Sequence, residues 1–315
     1  MILDRLERHD PRLYQIGALA ALLFYGMAFL DFDVSVGRAA LLLGSVLVAQ
    51  LVWSGLYGLP SVEIRSALIS GLSLCLLLRT NSALLAVVAA SVTIASKFLL
   101  RWNGKHVFNP TNFGLVAMMV ATDRVWVSPG QWGTAAFFGF LVACVGFLVV
   151  RRAARSDVTL AFLAFYAFLI VARSLALGEP IAIPLHRLQS GALLLFAFFM
   201  ISDPKTTPDS RPGRIFFAIL VATGAAFVQF RLFRTNGLLW SLALLSLLVP
   251  VLDQVLPGLR YRWASPSVGA PFFPKGARHE PVPSTSFARI GPLPPRTARP
   301  PVLRVLRGEG GHKAL

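Results

Sequence analysis

Ten apolar runs, at about residues 13–30, 36–57, 66–78, 82–100, 113–122, 133–150, 158–177, 188–201, 215–230 and 238–256, leave this chain few ways to fold. A helix needs about 20 apolar residues to cross a hydrocarbon core of ~30 Å, and most of these runs supply them. The runs at 113–122 and 188–201 are short, and read either as half-helices or as helices continued through shielded polar turns. With 56% hydrophobic and 14% charged residues, a soluble domain is excluded. The expected fold class is an all-α polytopic membrane protein of about ten transmembrane helices. The first run ends in Asp31-Phe32-Asp33 rather than at a small-residue cleavage site, so it reads as a first span and not a signal peptide. Three segments follow: a polar leader over 1–12, a transmembrane domain over 13–256 and a basic, Pro-rich tail over 257–315, whose composition predicts disorder.

The formal net charge of +16 invites a nucleic-acid reading, but half of the excess lies in the tail, which carries ten Lys and Arg against two Glu. Topology and anionic membrane lipid account for that charge, and no nucleic-acid partner is expected. With ten spans and a cytoplasmic N-terminus, the cytoplasmic segments hold 23 Lys and Arg and the outer ones seven. The bias predicts N- and C-termini in the cytoplasm of a cell inner or plasma membrane.

Cys75 and Cys144 both sit in apolar runs and read as small core residues. They offer no CxxC pair or Cys/His cluster for a metal. No G-x-G-x-x-G follows a strand, so no NADH site is expected. Lys97 lies near the end of its run and is expected to snorkel toward the interface. As a lone loop histidine, His106 reads first as a surface residue.

Two polar stretches interrupt the apolar pattern, Asn103–Met118 and Ser202–Arg214. Each places an Asn-Pro or Asp-Pro step beside a hydrophobic run. The residue before a proline is pushed out of helical geometry, so a helix stops at each. Paired interruptions in two halves of a membrane protein point to a binding site, because non-helical backbone must be shielded or line a cavity. Asn109, Thr111 and Asn112 bring amides and a hydroxyl, suited to hydrogen-bonding a neutral ring. Asp203, Thr206 and Thr207 bring a carboxylate and hydroxyls. The same residues also read as capped helix ends, with Asn109 capping the run at 113–122.

Gly104-Lys105-His106-Val107-Phe108-Asn109-Pro110-Thr111-Asn112-Phe113-Gly114 resembles the G-x-x-x-F-N-P-A-x-x-G segment of the NqrB/RnfD family. These are membrane subunits of the sodium-translocating NADH:quinone reductase and the Rnf electron transport complex. Phe198–Pro208 with Gly213-Arg214-Ile215-Phe216 resembles that family's F-F-M-x-[ST]-D-P-x-T-[ST]-P…GR-x-[IL]-[FY] segment. The likeness implies two inverted five-helix repeats, with broken helices at Asn109-Pro110 and Asp203-Pro204. It also implies flavin-mediated electron transport within an ion-translocating complex. Asn109 matches the second Asn of the family's N-P-F-N-P motif, near a non-covalent flavin, while His106 replaces the first. Family members also carry FMN on the threonine of an S-G-A-T or T-G-A-T motif. The corresponding loop here, Asp123–Trp132, has no such motif, and Thr134, in Gly133-Thr134-Ala135 just after it, lacks the flanking residues. Covalent FMN-threonine is therefore not expected, and the flavin, riboflavin or FMN, should be non-covalent. Shortened members of this kind are similar to membrane proteins encoded beside enediyne polyketide synthases.

The resulting expectation is a membrane redox subunit that passes electrons to partner subunits or to quinone, possible ion coupling included. Its ligand residues would be His106, Asn109, Thr111, Asn112, Asp203, Thr206 and Thr207. The alternative is a flavin-free transporter or exporter on the same scaffold.

Overall fold

A computed structural model describes residues 10–30, 32–128, 146–147, 149–151 and 153–261. They belong to one compact unit, Met1–Ser267. The leader before residue 10, the run at 133–150 for the most part, Cys144, Thr134 and the tail beyond residue 261 lie outside the described residues.

Each of the other nine apolar runs lies on helix. The first half carries α1 (Pro11–Phe29), α2 (Val36–Leu56), α3 (Ile64–Leu77), α4 (Ala83–Leu99) and α5 (Pro110–Ala121). The second carries α6 (Ser156–Ala176), α7 (Ala182–Leu188), α8 (Gly191–Leu195) running into a π-helix (Phe196–Met200), α9 (Arg211–Phe230), α10 (Gly237–Ser246) and α11 (Val249–Val255). Asp10, Ser35, Ser82, Asn109 and Ser210 cap their helices with side-chain oxygens, each satisfying a backbone N–H that the helix leaves free.

Four helices, α1, α2, α6 and α9, are long and apolar enough to cross a membrane. Two bent pairs raise that to six: α7 with α8 and its π-turn (45°), and α10 with α11 (52°). Helices α3, α4 and α5 are apolar but shorter, at 14, 17 and 12 residues. Large apolar side chains such as Phe24, Val48, Leu51, Phe168 and Leu244 face outward, as a lipid-embedded surface requires. The chain is therefore a multi-pass membrane protein.

One expectation is corrected in detail. Sharp bends within apolar segments fall at Gln189-Ser190 and Leu247-Leu248, not at the two X-Pro steps. Pro110 opens α5, a position where its missing N–H costs nothing, and Pro204 lies in the turn after the π-helix, so both prolines mark helix ends. The all-α class holds, with two short strand pairs among the described residues. Strands β1 (Leu78–Arg79) and β4 (Trp126–Val127) pair antiparallel, as do β2 (Arg101–Trp102) and β3 (Lys105–His106).

Helix packing positions the first break. A Cβ on Gly114 would come within 1.9 Å of Thr93 Oγ1, so glycine is what lets α5 lie directly on α4.

Candidate functional site

The first break is built by a hairpin. Chain leaving α4 turns through Asn103 (φ 49°) and Gly104 (φ 75°). Two consecutive left-handed residues, filled by Asn-Gly, are the favoured two-residue link between paired strands. Lys105 fixes the hairpin from outside, with its Nζ 3.0 Å from Asp209 Oδ1 and 2.6 Å from Asp253 Oδ2. After His106 the chain extends to Asn109, whose Oδ1 accepts the N–H of Asn112 at 3.0 Å and starts α5.

The second break begins where α8 widens. Ile201 N–H donates to Phe196 O at 3.0 Å, the last bond of the π-helix, and Ser202 Oγ bonds back to Phe198 O. Such widened turns are enriched at functional sites. Asp203 then organises the turn: its Oδ1 accepts Lys205 N–H at 3.0 Å, and its backbone oxygen accepts the hydroxyls of Thr206 (3.4 Å) and Thr207 (3.1 Å). Arg214 locks the exit, reaching Asp157 Oδ2 through Nε (2.8 Å) and Nη2 (2.5 Å) and Asp209 O through Nη1 (2.8 Å).

One side chain joins the breaks. While Asn109 Oδ1 caps α5, its Nδ2 donates to Met200 O at 3.3 Å and Asp203 Oδ2 at 3.4 Å. Capping and bridging are thus two ends of the same amide. Beside this contact lies a cavity of about 260 Å³, the break cavity, walled by His106, Asn109, Thr111 and Asp203 together with Gln50, Lys97, Phe98 and Phe199. Of the residues proposed from sequence, those four meet there. Asn112, fully buried, donates from Nδ2 to Leu239 O at 3.2 Å, and Thr206 and Thr207 spend their hydroxyls on the Asp203 turn, so these three stand off the wall.

The electrostatics are specific. His106 is not a surface residue: burial, with Arg101, Lys97 and Lys205 nearby, pushes its pKa down to about 3 and keeps the imidazole neutral. Its Nδ1 is buried without a hydrogen-bond partner. Burial raises the Asp203 carboxyl above its usual range, opposed by the Lys205 N–H and by the charges of Lys97, Lys205 and Arg155. Lys97 does not snorkel. It is 4% exposed, and its Nζ donates to Ser66 O (2.9 Å) and Ser66 Oγ (3.1 Å) at the start of α3. The lysine stands on the α4 face turned to α3, where Ser66 supplies its acceptors.

Among the wall residues that the two motifs do not contain are Gln50 and Lys97. A lone amide inside the run at 36–57 and a lone ammonium inside the run at 82–100 were the available signals, since ionisable and polar groups within spans are functional by default.

A second cavity of about 350 Å³, the far cavity, is lined by Leu77, Tyr166, Arg187, Gln229, Arg234 and Asn236 among others. Helix α3 relates the two: Ser66, Ser70 and Ser73 wall the break cavity, while Leu77 at its other end walls the far one. Met200 lines both.

Residues 125–261 match the model of the NQR2, RnfD, RnfE family, a stretch that contains the second break and not the first. Among curated proteins, the chain is 30% identical over 115 residues to the D-type subunit of the ion-translocating oxidoreductase complex of Erwinia tasmaniensis, covering 36% of this chain and 32% of that one. It is 28% identical over 115 residues to the protein of the same name from Pectobacterium atrosepticum, with the same coverage. It is 29% identical over 131 residues to that of Escherichia coli K12, covering 42% of this chain and 33% of that one. The chain thus spans about a third of the length of the relatives it matches. By the family match and these named relatives together, its similarity is to the NQR2, RnfD, RnfE family of membrane subunits.

Proposed function

We propose that this protein is a membrane subunit of a redox-driven, ion-translocating complex and holds a non-covalent flavin in the break cavity. The observation that carries the reading is a pocket at the junction of both motifs with two buried polar atoms left unpaired, Gln50 Oε1 and His106 Nδ1. Buried polar groups are paired in nearly every native structure, so orphans on two residues that wall one cavity mark a place for a ligand's donors and acceptors. Phe98 and Phe199 give the cavity apolar, aromatic walls. At about 260 Å³ it lies just below the usual range of about 300–1,000 Å³ for small-molecule pockets, room for a ring system whose side chain stays outside.

His106, Asn109, Thr111 and Asp203 would hold the ring, with Asn112, Thr206 and Thr207 fixing the backbone beneath it. The flavin, riboflavin or FMN, supplies one- and two-electron chemistry. The protein's part is to bind and orient it, exclude water and set the local charge. The relatives are named as members of an ion-translocating oxidoreductase complex, which supports ion coupling and partner redox subunits, with quinone a candidate acceptor. Ten crossings in two inverted repeats, cytoplasmic termini, lipid contact through the basic tail and location in the inner or plasma membrane complete the proposal. The helices found on nine of the ten runs support it.

A flavin-free transporter is the second reading, favoured by one feature: two cavities at opposite ends of α3 share Met200 as a wall. Absorption of the purified full chain between 350 and 500 nm, followed by acid precipitation, decides between them. Flavin released to the supernatant, and lost on Asn109→Ala, is the expected result. Flavin retained in the pellet would establish covalent attachment. Colourless protein after reconstitution with riboflavin and FMN would overturn the redox reading in favour of transport.

A further inference from the structure

Resting on the flavin reading of the break cavity, we propose that Gln50 and Lys97 are its ring-reading residues. Gln50 fixes the ring edge by a hydrogen bond. Lys97 places a positive charge beside the ring and raises its midpoint potential.

Gln50 sits in the middle of α2, 3% exposed and surrounded by apolar sequence. Its Nε2 donates to Ser54 Oγ at 3.3 Å, one turn along the same helix, and Oε1 has no partner. Whichever way the amide is turned, one end meets Ser54 and the other is left unpaired on a residue that walls the cavity. An amide can both donate and accept, which matches the alternating N–H and C=O edge of a flavin-type ring.

Lys97 is the complementary case. An ammonium has three donors, and Ser66 takes two, leaving one for whatever fills the cavity. Among the described residues no carboxylate lies within ion-pair distance of its Nζ. Burying a charge without a partner costs several kcal/mol, so this position calls for a negative partner some of the time. The other cations on the wall are engaged: Arg12 pairs with Glu63 and Asp10, Arg101 donates to the Lys97 backbone oxygen, and Lys205 faces the charge of Asp203. His106 is neutral and adds no second charge. A reduced flavin ring, which would have taken two electrons in two successive one-electron deliveries from a carrier on a partner subunit and one proton from water, would carry one net negative charge that the oxidised ring lacks. Lys97 therefore favours the reduced ring over the oxidised one, whereas a neutral hydrogen bond from Gln50 serves both.

The test is equilibrium binding of riboflavin to the full chain in detergent, in oxidised and dithionite-reduced form, with the midpoint potential measured by mediator titration. Lys97→Met should weaken the reduced form at least tenfold more than the oxidised form, which for a two-electron couple lowers the potential by about 30 mV or more. Lys97→Arg, which keeps the charge, should leave the ratio unchanged. Gln50→Leu should weaken both forms alike, by about tenfold, and leave the potential in place. Lys97→Gln repeats the first measurement in a variant that keeps a neutral hydrogen-bond donor. Wild-type protein that binds riboflavin while both neutral Lys97 variants keep its potential overturns this inference alone. Wild-type protein that binds neither redox form overturns the flavin reading beneath it.

Discussion

The two cavities that meet at Met200 differ in how their polar groups are satisfied. The far cavity is the larger, yet several of its polar wall residues are paired. Tyr166 donates to Gln229 Oε1 at 2.8 Å, the Arg187 guanidinium lies 5.1 Å from the centre of the Phe230 ring, and Asn236 Nδ2 approaches Val127 O at 3.5 Å. The break cavity is smaller and unsettled. Two of the five buried polar atoms without a partner among the described residues lie on its wall, and none lies on the far cavity's. Volume measures what fits, whereas unpaired buried groups measure what is missing, and the second is the better guide to a site.

That contrast predicts unequal consequences of substitution. Asp203→Ala should have the largest effect. It removes the acceptor of Asn109 Nδ2 and Lys205 N–H and leaves Lys97 buried with less compensating charge. Breaking one partner of a buried charge system costs on the order of 3–5 kcal/mol, so thermal unfolding in detergent should shift strongly and riboflavin binding should disappear. Asp203→Asn keeps the hydrogen bonds and should retain much of the stability. Arg187→Ala, in the far cavity, should leave riboflavin affinity unchanged. An equal loss there would mean that the two cavities form one site.

Asn109→Ala comes next. It loses an N-cap, worth about 1–2 kcal/mol, and the bridge between the breaks. Melting should report the first, and riboflavin affinity the second. Asn109→Ser, which can cap but is too short to donate to Met200 O, separates them: stability above that of Asn109→Ala with weakened binding is the expected outcome.

The cap and the bridge also show what sequence could and could not tell. The Asn-Pro and Asp-Pro steps announced two helix ends, and both are there, because proline acts locally. Nine apolar runs became helices for the same reason, since period and hydrophobicity are local properties. The bends at Gln189-Ser190 and Leu247-Leu248 carry no comparable local mark and depend on packing. Likewise, nothing in Lys97's own segment says that Ser66, 31 residues earlier, supplies its acceptors. Thr206 and Thr207 had the right chemistry and the right neighbourhood. Their direction, toward the Asp203 carbonyl rather than the cavity, is a matter of turn geometry that composition does not encode.

His106 sharpens the comparison through pH. In the folded protein its pKa is about 3, against about 6.5 when unfolded. Between those values the unfolded chain binds a proton that the folded chain refuses, so stability falls as pH drops from about 6.5 toward 3. Asp203 acts in the opposite sense: its raised folded value means that its contribution weakens as pH rises through that value. The two are separated by comparing wild type with His106→Gln between pH 7 and 5. The variant should lose a slope of at most about 1.4 kcal/mol per pH unit. Identical slopes would show that the imidazole titrates in the fold as it does in the unfolded chain.

The smallest effect is expected at Asn236, on the far cavity. Its backbone is left-handed, at φ 59° and ψ 32°, a conformation glycine adopts freely and asparagine tolerates. Asn236→Gly relieves that strain but enlarges the unfolded ensemble, and the two terms nearly cancel. The bond it gives up, to Val127 O at 3.5 Å, is at the limit of useful geometry. Stability should change by no more than about 0.5 kcal/mol, within the range of substitutions away from special features. Riboflavin affinity should not change, because the only wall Asn236 shares with the break cavity is indirect, through Met200. A drop in affinity with stability intact would show that the π-helix carrying Met200 transmits far-side changes to the break, and so couples the two cavities instead of separating them.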